Sequence, residues 1–286
     1  MTTRALVAIA ALTTVACSAQ AVLTQQVEAR RLASNLQVQF SKTTEASNRA
    51  VMSDADEDSR AAVREAEQAT QVVLHEVGQL RAVLMSMGYS EELELLDGFT
   101  KRFDVYRTLE AEILPLAVEH TNEKAQRLSF GPAADAVHEF RTALDAAVKS
   151  APPDVRPRLE LLAARAVEAV LDIQVLYAPH IAEAEDEAMT RMEQRMAASE
   201  KLARTTLTQM QALLPAASRP QLTAVTIALD KFMTIHAEII TLSRRNSDVR
   251  SLSLTLGRKR MITAQCDEQL RALQESLAKH SVGPTR

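Results

Sequence analysis

The chain has 286 residues, with 33 Lys and Arg against 37 Asp and Glu and a formal charge of −4, which leaves no basic footprint for nucleic acid. Six glycines, nine prolines, 3% aromatic residues and no Trp go with an abundance of Ala, Leu, Glu, Gln, Arg and Met, all strong helix formers. No stretch alternates apolar and polar residues long enough for a strand, so the expected class is all-α and a sandwich or barrel is excluded.

After Met1-Thr2-Thr3-Arg4 comes an uncharged run, Ala5 to Leu23, followed by Gln25, Glu28, Arg30 and Arg31. The run starts in the standard targeting position, so export is expected over a buried first helix of a cytoplasmic protein. A cleaved signal fits, with Ala19-Gln20-Ala21 as its cleavage site, and so does an uncleaved anchor, since the run approaches the ~20 residues a spanning helix needs. Lipidation at Cys17 is a third form, although Thr14-Val15-Ala16 matches the usual Leu-rich approach poorly. The expected organisation is an apolar signal or anchor over residues 1–23 and a helical domain over 24–286. The domain would sit in the cell envelope, anchored to the inner membrane through residues 5–23 or released into the periplasm.

Three breaks divide the rest. Gly88-Tyr89-Ser90 ends the first helix, and Ser90 with Glu91 and Glu92 suits the start of a second. Pro152-Pro153 and Pro157 end the second, and Pro215 to Pro220 ends the third, with Ser218 as N-cap. The spacing predicts helices near 24–87, 91–149, 156–214 and 218–281, an up-down-up-down four-helix bundle. Pro132 and Pro179 lie at similar distances from the 150–157 turn, so two kinks are expected at one level. Between Asp54 and Asp58 the acidic run reads as a solvated helix face.

Residues 112–131 and 238–257 resemble each other at a period of 126. Glu112/Glu238, Ile113/Ile239, Leu116/Leu242, Leu128/Leu254 and Gly131/Gly257 coincide, and Lys124/Arg250 keep their charge. So long a period excludes a solenoid and predicts two duplicated helical hairpins, with the two segments parallel and at the same height. Apolar residues recur every three or four positions along Tyr106, Leu109, Ile113, Leu116, His120, Glu123 and Phe130. The matching seam is Phe232, Ile235, Ile239, Leu242, Asn246, Val249 and Leu256.

An apolar start leading directly into four long, Pro-poor helices resembles the extracytoplasmic four-helix-bundle sensor domain of bacterial methyl-accepting chemotaxis receptors. The segments from His120 to Ser129 and Arg245 to Ser253 are similar to segments of such modules. The resemblance implies a ligand-binding sensor, and a homodimer or a partner helical bundle. Those receptors continue into a second span, a HAMP linker and a methylated coiled coil. The sequence to Arg286 has no counterpart to these, so transmembrane signalling by this chain alone is not expected.

No HExxH, CxxC, GxSxG or phosphate loop occurs, and the six histidines are scattered. No enzyme, metal or cofactor is expected. Cys266 sits at an apolar-periodic position and reads as a buried thiol. His120 and Asn246 place polar groups in the seam. They are read either as a layer that fixes helix register or, with Asn122, Lys124 and Arg250, as the lining of a small-ligand pocket. The functional expectation is a sensor-type bundle that binds a small ligand or a partner bundle; the alternative is a structural envelope protein that dimerises without ligand.

Overall fold

The computed structural model describes residues 3–280, with side chains described at Gln20 and from Val22 onward. The expected signal or anchor over Ala5–Leu23, and Cys17 within it, therefore lie almost wholly outside the described side chains. Among the described residues no helix is long and apolar enough to cross a membrane. The described chain is helical throughout, without strands, and divides into two compact units. Unit 1 is Met1–Val118 with Ser251–Arg286, and unit 2 is Glu119–Arg250.

Each of the four long helices expected from the breaks is itself interrupted. In unit 1 the first is a hairpin of α1 (Thr3–Met52) and α2 (Asp56–Met87), followed by α3 (Ser90–Ala117). The reversal falls at 53–55, where Ala55 is extended (φ −109, ψ 126) and Asp56, Glu57 and Asp58 form the first turn of α2. The acidic run is thus a helix start whose carboxylates face the positive end of the dipole. Ser59 Oγ donates to the Ala50 carbonyl across the turn (3.0 Å). Between α2 and α3, Gly88 adopts φ 70, and the N–H of Tyr89 returns to Leu84 O (3.1 Å), a left-handed helix ending that suits Gly.

Unit 2 contains α4 (Thr121–Phe130), α5 (Pro132–Lys149), α6 (Arg156–Val175), α7 (Tyr177–Ala182), α8 (Asp186–Leu213) and α9 (Arg219–Arg245). The expected third helix is broken twice, at Leu176 and over 183–185, where Glu185 is extended (φ −92, ψ 116) and Asp186 and Glu187 open α8. Breaks at Gly131 and Leu176 fall where α4 packs on α7 and α5 on α6, the matched pair that Pro132 and Pro179 indicate. The return to unit 1 runs through α10 (Ser247–Leu254), a π-helical turn (Thr255–Lys259) and α11 (Arg260–Lys279).

The extra reversal at 183–185, which falls between the two repeated segments, corrects their expected relative direction. Lys231 pairs with Glu139 (2.7 Å) and Arg245 with Glu119 (2.6 Å), so α5 and α9 are antiparallel. In unit 1, Glu92 meets Ser276 (2.6 Å) and Glu110 meets Lys259 (2.9 Å), so α3 and α11 are antiparallel too. The repeated segments therefore oppose one another instead of running parallel, although their centres do lie at one level.

Each unit has its own core. Phe40, Phe99, Phe103 and Tyr106 form an aromatic cluster in unit 1, with Phe40 edge-on to the other three at 5.4–5.9 Å. Leu36, Leu80, Leu84, Leu270 and Cys266 pack around it. Burial pushes the Cys266 thiol up to about 12, so it behaves as a small apolar side chain. Phe140, Ile173, Tyr177, Met196, Met210 and Phe232 centre the core of unit 2.

Candidate functional site

The repeated segment is where the local backbone is least ordinary. His120 and Asn246 are the only non-glycine residues with positive φ among those described, at 48° and 53°. Each precedes a helix, α4 or α10. A helix start leaves its first N–H groups without intrahelical acceptors, and an N-cap side chain normally satisfies them from the same strand. His120 makes no such bond, and the Asn246 side chain is engaged by Asn122 and the Glu183 carbonyl. The two segments cap one another instead. Thr121 N–H donates to Ser247 Oγ (3.1 Å) and Ser247 N–H to Thr121 Oγ1 (3.0 Å). Asn122 N–H donates to Asp248 Oδ2 (2.9 Å) and Asp248 N–H to Asn122 Oδ1 (3.2 Å). All four bonds link residues 126 apart, so the repeat is a local two-fold exchange of helix caps.

Of the five site residues expected from sequence, two touch directly. Asn122 Nδ2 donates to Asn246 Oδ1 (2.6 Å) and to Ile181 O (2.7 Å), while Asn246 Nδ2 donates to Glu183 O (2.8 Å). His120 is buried beside Asp248, with Nδ1 to Oδ1 at 3.7 Å. Lys124 folds back, its ammonium on Glu119 O (2.7 Å). Arg250 is exposed. The amide groups of Asn122 and Asn246 are thus engaged by each other and by main-chain carbonyls.

A second polar network lies in unit 2. His180 Nδ1 lies 2.7 Å from Ser243 Oγ, whose hydroxyl donates to the His180 carbonyl (3.0 Å), and Nε2 lies 3.0 Å from Glu193 Oε1, which Arg244 also grips (2.6 Å). Burial holds the His180 imidazole below its ordinary value, against the pull of Glu193. The order Ser, His, Glu is that of a hydrolase triad. Ser243 and His180 are fully buried, however, so no substrate reaches the hydroxyl and the network serves to tie α7, α8 and α9 together. Among the described residues no group of His, Cys, Asp and Glu stands close enough to hold a metal ion.

The third centre, in unit 1, has no counterpart in the sequence reading. Lys259 is 1% exposed. Its ammonium bonds Glu110 Oε1 (2.9 Å), Asn48 Oδ1 (3.1 Å) and Ser47 Oγ, and lies 5.8 Å from the Tyr106 ring centroid. Burial pulls the lysine below its ordinary value, against the pull of Glu110. Lys259 closes the π-helical turn, a feature often found at functional sites, and borders a cavity of ≈330 Å³ lined by Thr44, Asn48, Met52, Leu252, Thr255, Leu256, Arg260 and Thr263. Periodicity carried through this turn puts Leu256 on the seam, yet it is 62% exposed, as Phe130 is at 71%. The π turn and the break at Gly131 shift the helical phase, bringing Lys259 inward in line with Ile262, Cys266 and Leu270.

No protein-family model matches the chain, and no curated protein matches it.

Proposed function

We propose that the chain is an extracytoplasmic, sensor-type helical protein, similar to chemoreceptor sensor domains, that binds a small ligand in unit 1. In this reading each compact unit is an up-down-up-down four-helix bundle. Residues 5–23 act as export signal or membrane anchor, and no reaction is catalysed. The observation that carries ligand binding is the Lys259 cavity. Its volume falls at the lower end of the range of small-molecule sites, which combine apolar walls with a few convergent polar groups. Met52, Leu252 and Leu256 supply such a wall, and Lys259, Arg260, Asn48 and three threonines supply the polar groups. A buried charge costs free energy unless it is paired, and one placed at the edge of a cavity suits recognition better than stability.

The test is a small-molecule library screened by thermal shift on the full-length chain. A ligand that binds only the folded state at 100 times its Kd stabilises by about 2.7 kcal/mol. Hits should raise the melting temperature of the wild type and not of Leu252→Trp, which fills the cavity from its rim. Hits that shift both proteins equally would place the site elsewhere.

A second reading, a structural partner bundle without ligand, draws on a different feature. On α6 the side chains of Leu161, Leu171 and Val175 are exposed, beside a groove of ≈660 Å³ between α5 and α6. Light scattering distinguishes it: concentration-dependent dimerisation that Leu171→Asp abolishes would favour this reading.

A further inference from the structure

Building on the reading of unit 1 as a ligand-binding bundle, we infer that the Lys259 cavity takes a small amphipathic monoanion, a carboxylate carried on a short apolar body. Three features specify the class. The first is charge. Lys259 and Arg260 line the cavity with no acidic residue among the lining. Glu110 pairs with Lys259 but does not line the cavity, so the wall carries one positive charge beyond that pair.

The second is a set of donors without partners. Other threonines of unit 1 return their hydroxyls to the carbonyl four residues back, as Thr43, Thr100 and the cavity's own Thr44 do. Thr255 and Thr263 do not. Both hydroxyl oxygens are buried with no hydrogen-bond partner, and both residues line the cavity. A buried hydroxyl without a partner costs free energy, and because threonine has two accessible χ1 rotamers in a helix, rotation turns each hydroxyl from the wall toward a carboxylate oxygen that accepts from it.

The third is a contact that can be exchanged. Of the three acceptors on the Lys259 ammonium, Asn48 is both exposed and part of the lining, and its bond is longer than that to Glu110. A carboxylate replaces Asn48 Oδ1 on the ammonium, a charge-assisted bond in place of a neutral acceptor. Rotation of the Asn48 amide then turns Nδ2–H toward the same carboxylate, so the displaced side chain becomes a donor. Met52, Leu252 and Leu256 cover the apolar body.

The experiment titrates three near-isosteres, benzoate, benzamide and benzylamine, and the open-chain set hexanoate, hexanamide and hexylamine, into the full-length chain by calorimetry at pH 7. Each carboxylate should bind at least tenfold more tightly than its amide, and the amines should not bind. Because Lys259→Met alone leaves Glu110 buried without its partner, the informative variant is Lys259→Met/Glu110→Leu, with folding checked by circular dichroism. That variant should lose the tenfold preference for carboxylates, and Thr255→Val/Thr263→Val should weaken them several-fold. An amide or amine that binds as tightly as its carboxylate overturns the anion assignment while leaving unit 1 a ligand-binding bundle. So does a failure of all six compounds when library hits still depend on an unfilled cavity. If no compound of any charge binds there, both readings fall.

Discussion

Removing the Ser247 hydroxyl should uncap α4 and free the Thr121 hydroxyl that caps α10, because that oxygen accepts from the Thr121 N–H at 3.1 Å and from the Thr121 hydroxyl at 3.1 Å. In Ser247→Ala the Thr121 N–H is left buried without an acceptor. A lost cap costs about 0.5–2 kcal/mol and an unsatisfied buried donor about 1–3 kcal/mol; these overlap, giving an expected loss of about 2 kcal/mol. Thr121→Val, close in shape, strips the Ser247 N–H of its acceptor (3.0 Å) and should cost about the same. The two losses share the hydroxyl–hydroxyl bond. The double variant should therefore cost about 3 kcal/mol, roughly 1 kcal/mol less than the sum, within the coupling expected of residues in contact. Urea unfolding of the full-length chain, followed by helical circular dichroism, gives these differences from the shift of the transition involving unit 2. Single-variant losses under about 0.5 kcal/mol, the range of ordinary surface changes, would refute reciprocal capping. Strict additivity would refute it equally, since uncoupled residues cannot be capping one another.

Three further outcomes are expected. Lys259→Met alone should cost about 3–5 kcal/mol by leaving Glu110 buried and uncompensated, whereas Lys259→Met/Glu110→Leu should be near neutral; urea midpoints of the two variants give the contrast. His180 and His236 are both held below the ordinary 6.5, chiefly by burial. The unfolded chain therefore takes up protons first as pH falls below that value, and stability should decline from there down to the folded pKa values. Below the ordinary carboxylate range of about 4.5, the stabilisation from Glu193 and Glu119, lowered chiefly by Arg244 and Arg245, is lost in turn. His236→Phe should make the first decline shallower, leaving the His180 part, and leave the second unchanged, as read from urea midpoints between pH 7 and pH 3. Phe130→Ser and Leu256→Ser, on exposed side chains, should each change stability by less than about 0.5 kcal/mol, while Phe232→Ala should cost about 3–5 kcal/mol.

The turns legible in the sequence are those whose backbone demands a special residue. Gly88 needs positive φ, and Pro152-Pro153 cannot continue a helix, so both mark their reversals. The reversals at 53–55 and 183–185 pass through extended conformations at Ala55 and Glu185, which any residue adopts, so a search for Gly and Pro cannot find them. Their signal is the acid that follows: Asp56-Glu57-Asp58 and Asp186-Glu187 are helix first turns, and the first of these runs is as easily taken for a solvated face. The 126-residue repeat was visible, and it led to Asn122 and Asn246, which touch. Its two-fold sense was not visible, because a pattern of equivalent residues is the same for parallel and opposed segments. Lys259 escaped because a π turn has no composition of its own, and one extra residue there moves a lysine onto the seam and Leu256 off it.

Ligand binding in unit 1 is read most directly from the Met52 methyl group, which lines the Lys259 cavity. With methionine methyls labelled with carbon-13 in the full-length chain, titration of a compound that raises the melting temperature should shift the Met52 resonance. Met189 and Met196, buried in unit 2, should stay unmoved. A stabilising compound that shifts Met189 or Met196 and leaves Met52 unchanged would contradict a ligand site beside Lys259.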